Sequence, residues 1–454
     1  MSATRRFSVK WREADLVLTA LLVAGALALP LVFTIALNDV FALPKTATML
    51  ALTVPFVPGL VLLGLRRGVP SIGSWSVATL ALVVYLILTV AATLHSADPA
   101  HSLFGERLQY QGLLAVLAYA VAFVAARATL ISEKRVRPFV LAVVAAATIS
   151  SLYGLLQQVG LDPIWHVLDR GRIFSTLGQA NALAAYLVLA LPLSIALGLM
   201  VRGLSRRLLA LLPALMIAGA LALTLSRGGY LGASVAMVAL GALLARPVSL
   251  TRRRLGVAVV LVATVAAVCV SPLVAPSLGR VVQRAAETVD PAEGSAASHL
   301  DLWAVGVRMA ADYPLLGTGP EMYPVFFAQY RNRVLPPSRA AVMARFRPES
   351  PHAVPIAIAA GAGLPALLAY LVLVTSALMS GWRRLRAGPS RNERLLLAAL
   401  IAAALGHLTT DLFMTAEVAG SWTFWVILGI LAAGTCRMPL GIGAAAVESG
   451  SSSV

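Results

Sequence analysis

The chain has 454 residues, 59% of them hydrophobic and 12% charged, and its mean hydropathy is +0.86. Soluble globular domains carry about 25% charged residues, so this composition excludes that class and describes a polytopic membrane protein. The net charge of +17 falls mostly in alternate short loops, the positive-inside pattern that sets orientation, and so gives no support to a nucleic-acid partner.

In chain order, residues 1–15 form a short basic N-terminus with Arg5, Arg6, Lys10 and Arg12. The apolar run from Leu16 to Leu37 would span roughly 33 Å as a helix, longer than a secretory signal allows, and is read as a retained first span. Further spans are expected near 44–64, 75–94, 111–130, 136–156, 177–200, 207–226, 228–245, 255–274, 352–380, 394–412 and 419–437. The expectation is therefore an all-α polytopic membrane protein of about 12 transmembrane helices, spans 1–9 within 16–274 and spans 10–12 within 352–437. With a cytoplasmic N-terminus, every short basic loop lands on one side, and a polar insert at 275–351 becomes a large helical extracytoplasmic loop between spans 9 and 10. The tail, 438–454, is small-residue and polar, and reads as disordered and cytoplasmic. Cys269 and Cys436 lie in or beside apolar segments without metal-ligand spacing and are read as packing residues. No repeat relating the two halves stands out, although many transporters show one.

The outer loops mix His, Asp, Glu, Arg, Trp and Tyr, so chemistry is sought there. In Ser350-Pro351-His352, Ser is a preferred N-cap and Pro a preferred first helical residue, which would put His352 in the first turn of a membrane helix. The positive end of the helix dipole would keep that ring neutral, as a general base requires; a structural His bonding a carbonyl is the alternative. Arg227, in Leu225-Ser226-Arg227-Gly228-Gly229, stands between two apolar runs with almost no loop. Its planar fork suits phosphate oxygens, while the competing reading is that it snorkels to headgroups.

Upstream, Arg172 is followed by Phe174-Ser175-Thr176-Leu177-Gly178-Gln179-Ala180-Asn181. There the amides of Gln179 and Asn181 suit capping of a helix start or contact with a sugar or phosphate, capping being the first reading for Asn181, and Arg172 suits an anion site. In the insert, His299, Trp303 and Arg308 share roughly one helical face, with Leu300, Val307, Met309 and Ala310 read as packing. Pro314 to Pro320 reads as a tight Gly/Pro bend. Arg331, Arg333, Arg339, Arg345 and Arg347 make the later half of the insert basic. The sequence has no Asp-x-Asp, His-Glu-x-x-His, Gly-x-Ser-x-Gly or Walker pattern, so no metal or cofactor is expected.

Four stretches in this order resemble the O-antigen ligase and polymerase superfamily of bacterial membrane glycosyltransferases: Arg172 to Asn181, Leu225 to Gly228, His299 through Trp303 to Pro320, and His352 followed by Ala359 to Leu364. The resemblance covers about 105–435. It implies a GT-C-like fold in the bacterial cytoplasmic (inner) membrane with its active site on the extracytoplasmic face. The implied reaction, which uses no metal, moves a glycan from undecaprenyl pyrophosphate to a hydroxyl on a lipid, glycan or protein acceptor in cell-surface polysaccharide (lipopolysaccharide) biosynthesis. It also implies that His352 is the base and that Arg227 grips the pyrophosphate. Two positions depart from the family: Ala353 stands where Asn is usual, and His299 where Arg is frequent. The second departure leaves the loop's phosphate contact to Arg308, Arg172 or a protonated His299. A repeat-unit polymerase of the same superfamily, and a transporter or flippase for lipid-linked sugars, are the alternative functions.

Overall fold

The computed structural model describes residues 3–67, 76–164, 171–245 and 295–433. The expected span at 255–274, the start of the insert, Cys269, Cys436 and the tail lie outside these residues. Among the described residues the chain is helical: α1 (Ala3–Leu31), α2 (Ala42–Arg67), α3 (Val77–His95), α4 (Pro99–Phe104), α5 (Leu113–Thr129), α6 (Glu133–Gln158), α7 (Ala180–Met200), α8 (Leu204–Ala210), α9 (Leu212–Leu223) and α10 (Arg227–Leu244). The insert contributes α11 (Ser295–Asp312), α12 (Tyr323–Val334) and α13 (Pro337–Met343), followed by α14 (Val354–Arg386), α15 (Arg391–Thr410) and α16 (Val418–Ala432). Among the described residues eight helices, counting Leu204–Leu223 as one, are long and apolar enough to cross a membrane, and three shorter apolar ones accompany them.

Local chemistry explains where the expected boundaries shift. The span expected at 177–200 starts at Ala180, because Ser175–Leu177 forms a 3₁₀ turn closed by Gly178 at φ 78°. The span expected at 207–226 is two helices, with Pro213 in the first turn of α9, where its missing N–H costs nothing. The span expected from residue 352 begins at Val354, with Ala353 as N-cap and no side-chain cap. Ser350 is therefore not the cap, and His352 precedes the helix rather than lying in its first turn.

The bundle centres on α7, which is buried along most of its length and packs on α6, α9, α10 and α15. Beside it, α16 packs on α5, and α3 packs on α14. The feature that positions the insert is a break in α14 at Gly363 (φ 87°, ψ 167°). Pro365 has no N–H to give to Gly361, and the Leu364 N–H turns away to Pro314 O at 2.8 Å. The carbonyls so released accept from the insert: Thr318 N reaches Ala360 O at 2.8 Å and Gly319 N reaches Gly361 O at 2.9 Å. The Gly/Pro bend is thus a backbone clasp on a broken helix, and Gly317 has φ 64° at the closest approach.

Above the clasp, α11 lies on α14 through Gly306, where a Cβ would come within 2.6 Å of Ile356 and 3.2 Å of Pro351. The insert has its own small core, in which Leu302, Val305 and Met309 meet Tyr323, Phe327 and Tyr330. Met309 and Ala310 pack as expected, but Leu300 and Val307 are 52% and 56% exposed, because the buried stripe of α11 runs through 302, 305 and 309.

Gly317→Ala should lower stability by about 2 kcal/mol or more, since Ala is strained at positive φ and its Cβ would strike the Gly361 backbone. An unchanged thermal unfolding midpoint in detergent would show that the clasp is dispensable.

Candidate functional site

The site is assembled from helix ends and from the insert. Arg227 opens α10. Ser226 caps that helix by accepting from Gly229 N at 3.3 Å, and Leu225 at φ 49° makes the sharp turn from α9. Close packing sets this turn against the segment between α15 and α16: a Cβ on Gly228 would lie 3.0 Å from Met414 and 3.1 Å from Phe413. Arg172 ties the start of α7 to the same turn, with Nε donating to Thr224 O at 2.7 Å and a terminal nitrogen donating to Asn181 Oδ1 at 2.6 Å. Asn181 therefore serves Arg172 rather than capping a helix, and Gln179 holds the N-cap position without a side-chain bond.

His352 faces this group from the other side. Its ring lies 5.6 Å from that of His299, edge to face, and Trp303, one turn further along α11, lies 5.7 Å from Phe413. Two hydroxyls hold His352, one at the ring and one at the backbone: Nδ1 is 3.0 Å from Thr415 Oγ1, which is 2.7 Å from Ser350 Oγ, and Ser350 Oγ accepts the backbone N–H of His352 at 3.1 Å. The backbone of His352 has φ 51°, a region that non-glycine residues seldom occupy and that is held here by the surrounding bonds.

Electrostatics keep both rings uncharged. Burial, then the neighbouring His299, lower the pKa of His352 to about 4. Burial, then the Arg227 guanidinium, lower that of His299. The helix dipole expected to do this is not the cause, because His352 lies outside the helix. The protonated His299 expected as a phosphate contact is disfavoured for the same reason. The Arg227 guanidinium is thus a charge that His299 feels, second to burial.

The structure thus brings His352, His299 and Arg227 together, with Arg172 and Asn181 bracing the Arg227 turn. Arg308 is not part of this group; it is exposed and paired with its own helix neighbour Asp312 at 3.0 Å. Asp301, the nearest carboxylate in sequence to His299, is held by Arg339 at 2.5 Å. Sequence reasoning missed Thr415 and gave Ser350 a different task. Thr415 is 63 residues from His352, and its one signal was membership of a polar outer loop. Among the described residues, no group of three or more His, Cys, Asp or Glu converges as a metal site.

Residues 211–371 match the family model Wzy_C, described as O-antigen ligase. The resemblance to the O-antigen ligase and polymerase superfamily is borne out. The match takes in Arg227, His299 and His352 and ends before Thr415, so the grip on the His352 ring comes from outside the matched residues. The family points to a glycosyltransferase-like enzyme of ligase or polymerase type that acts on lipid-linked glycans. No curated protein matches the chain.

Thr415→Val keeps the side-chain shape and deletes the hydroxyl beside Nδ1. It should lower the transfer rate about 10- to 100-fold with little change in KM, and Thr415→Ser should restore most of it. Equal rates for the Val variant and the native chain would remove Thr415 from the site.

Proposed function

We propose that this chain is an O-antigen ligase of the cytoplasmic membrane. In this reading it moves a glycan from undecaprenyl pyrophosphate to an acceptor hydroxyl on the extracytoplasmic face, without a metal ion, through about twelve spans of GT-C-like architecture. The observation that carries it is a histidine held at its ring by Thr415 and at its backbone by Ser350, whose ring neighbour His299 feels the charge of an arginine at a helix start. His352 is the base and Arg227 the pyrophosphate contact.

The chemistry needs little else. Pyrophosphate is already a good leaving group, and what it requires is positive charge where negative charge develops. Arg227 supplies that with a planar, permanently charged fork, next to the N–H groups that open α10. The acceptor hydroxyl must lose a proton as it attacks, a task for one base worth roughly 10²- to 10⁴-fold. In the tautomer we assign, His352 donates from Nδ1 to Thr415, Thr415 donates to Ser350, and Nε2 is left bare to take the acceptor proton. After transfer the imidazolium still donates from Nδ1, so the grip suits both protonation states. With the leaving group on the opposite side of the anomeric carbon, the displacement inverts that centre.

The same arrangement couples donor binding to base strength. In the empty site His352 is held near 4 by burial and His299, a weak base at neutral pH. A pyrophosphate drawn to Arg227 offsets the positive field there and raises the proton affinity of both rings, bringing His352 closer to the operating pH at the moment it is needed.

Two experiments test this. Purified protein, an undecaprenyl-pyrophosphate-linked oligosaccharide, candidate acceptors and EDTA should yield released carrier and a glycosylated second molecule by mass spectrometry. The identity of that molecule separates ligase from polymerase. His352→Ala should reduce transfer by about 10²- to 10⁴-fold, and Arg227→Lys should impair it strongly because an ammonium does not reproduce a bidentate fork. Saturable binding of the donor without turnover would favour a transporter, and unchanged activity in the Arg227 variant would favour snorkelling.

The second experiment is a pH profile. A base whose pKa is lowered stays unprotonated to lower pH, so kcat/KM should hold from neutral pH down and fall only as the pH nears about 4. The acid limb of kcat, which reports the donor complex, should lie at higher pH. Coincident limbs would contradict the coupling.

A further inference from the structure

Behind His352, on the far side of the wall made by Ser350, Ala353 and Thr415, lies a half-open chamber of about 110 Å³. It reaches as far as Trp425, seven residues into α16 and so roughly 10 Å below the start of that helix. None of its chemistry is used in the reaction described above.

The chamber has two kinds of lining. One is aromatic: Tyr85, Tyr119 and Tyr370 gather round Trp425 with ring centroids 6.1, 6.2 and 6.3 Å from it. The other is polar and acidic, with Glu321 at the rim and His407 and Asp411 at the end of α15. Among the described residues, Glu321 Oε2 and His407 Nδ1 are buried without a hydrogen-bond partner, while His407 Nε2 lies 3.5 Å from Asp411. Leaving such atoms unpaired costs about 1–3 kcal/mol each, so the chamber favours contents that carry hydrogen-bonding groups of their own. Glu321 also has φ 60°, a strained conformation held by its neighbours.

The lining selects the occupant. An anion is disfavoured by Asp411, and a hydrocarbon would leave the polar atoms unsatisfied. Burial, with Glu106 and Glu349 nearby, raises the pKa of Glu321 to about 8, so at neutral pH it is mostly uncharged and able both to donate and to accept. Flat aromatic faces for C–H surfaces, beside a protonated carboxyl and an imidazole for hydroxyls, suit a polyhydroxylated ring.

We propose that this chamber is a subsite for one neutral sugar unit, stacked among Tyr85, Tyr119, Tyr370 and Trp425 and bonded through its hydroxyls to Glu321, Asp411 and His407. That the sugar belongs to the transferred or accepting glycan rests on the glycosyl-transfer reading; the binding itself does not. The occupant shares the Ser350–Thr415 wall with His352. A glycan anchored there by one unit extends over the rim past the base, and the site gains a means of registering the chain it handles.

The experiment uses the full chain in nanodiscs and a panel of methyl glycosides of glucose, galactose, mannose, rhamnose and N-acetylglucosamine, read by saturation-transfer NMR, with lipid-linked transfer assayed on the same preparations. At least one glycoside should bind saturably. Ala357→Phe, which fills the chamber, and Glu321→Leu, which removes its rim hydrogen bonds, should each weaken that binding by about tenfold or more, with folding checked by thermal unfolding. His352→Ala should leave glycoside binding unchanged while abolishing transfer. If no glycoside binds to protein that still transfers glycan, the subsite is wrong and the transfer reading stands. Glycoside binding that ignores both chamber variants also overturns it. Chamber-dependent binding in protein that transfers nothing would keep the subsite and remove the enzyme reading.

Discussion

Two backbone hydrogen bonds, Thr318 to Ala360 and Gly319 to Gly361, join the insert to a helix that has been opened to receive them. They exist because Pro365 cannot donate and Gly363 can take a backbone conformation closed to other residues. Everything on the insert side follows from this clasp. It lays α11 against α14 through Gly306, and that contact fixes where His299 and Trp303 stand relative to His352 and Phe413. An apolar bundle cannot hold a polar segment by hydrophobic burial alone. Unsatisfied carbonyls at the break offer a directional attachment in its place.

The second organising feature is the separation of charge across one wall. On the side of Arg227 are two imidazoles whose protonation is disfavoured, that of His352 by burial and His299 and that of His299 by burial and Arg227. On the other side are Glu321, Asp411 and Glu417, the last occupied in capping α16 through the N–H groups of Ala419 and Gly420 at 2.9 and 2.8 Å. Ser350 and Thr415 lie between the two sides and touch both: Thr415 meets the ring of His352 and Ser350 its backbone N–H on one face, and both line the chamber on the other. An anionic ligand is drawn to one compartment and a neutral polar one to the other. For a lipid-linked glycan, with a charged link and uncharged sugars, such a division matches the ligand's own layout.

The helical, membrane-spanning character was legible in the sequence because length and hydropathy suffice to mark apolar helices. Arg227 and His352 were also legible, each for a local reason: a charge with no loop around it, and a histidine where a polar segment meets an apolar one. The bracing of Arg227 was only half visible. Arg172 and Asn181 stood out, but a sequence position does not reveal that an asparagine one residue into a helix turns outward to an arginine instead of back to the helix. Arg308 shows the opposite failure, since sharing a helical face with His299 and Trp303 across nine residues did not stop it from pairing with Asp312, one turn away, in solvent.

What the sequence determined by itself is therefore the set of parts: a helical membrane body, a polar insert, and a few cations and histidines at helix ends. The tertiary structure decided which of them meet. His352 owes its neutrality to burial and His299 rather than to a helix start, and its orientation to Thr415, a residue 63 positions away. The glycines of the bend and those of α14 became intelligible only as the two halves of one clasp. The physical reason is common to all three. Periodicity and capping are local, and are written in neighbouring residues, whereas desolvation, field and hydrogen-bond partnership belong to groups that are close in space and far apart in the chain.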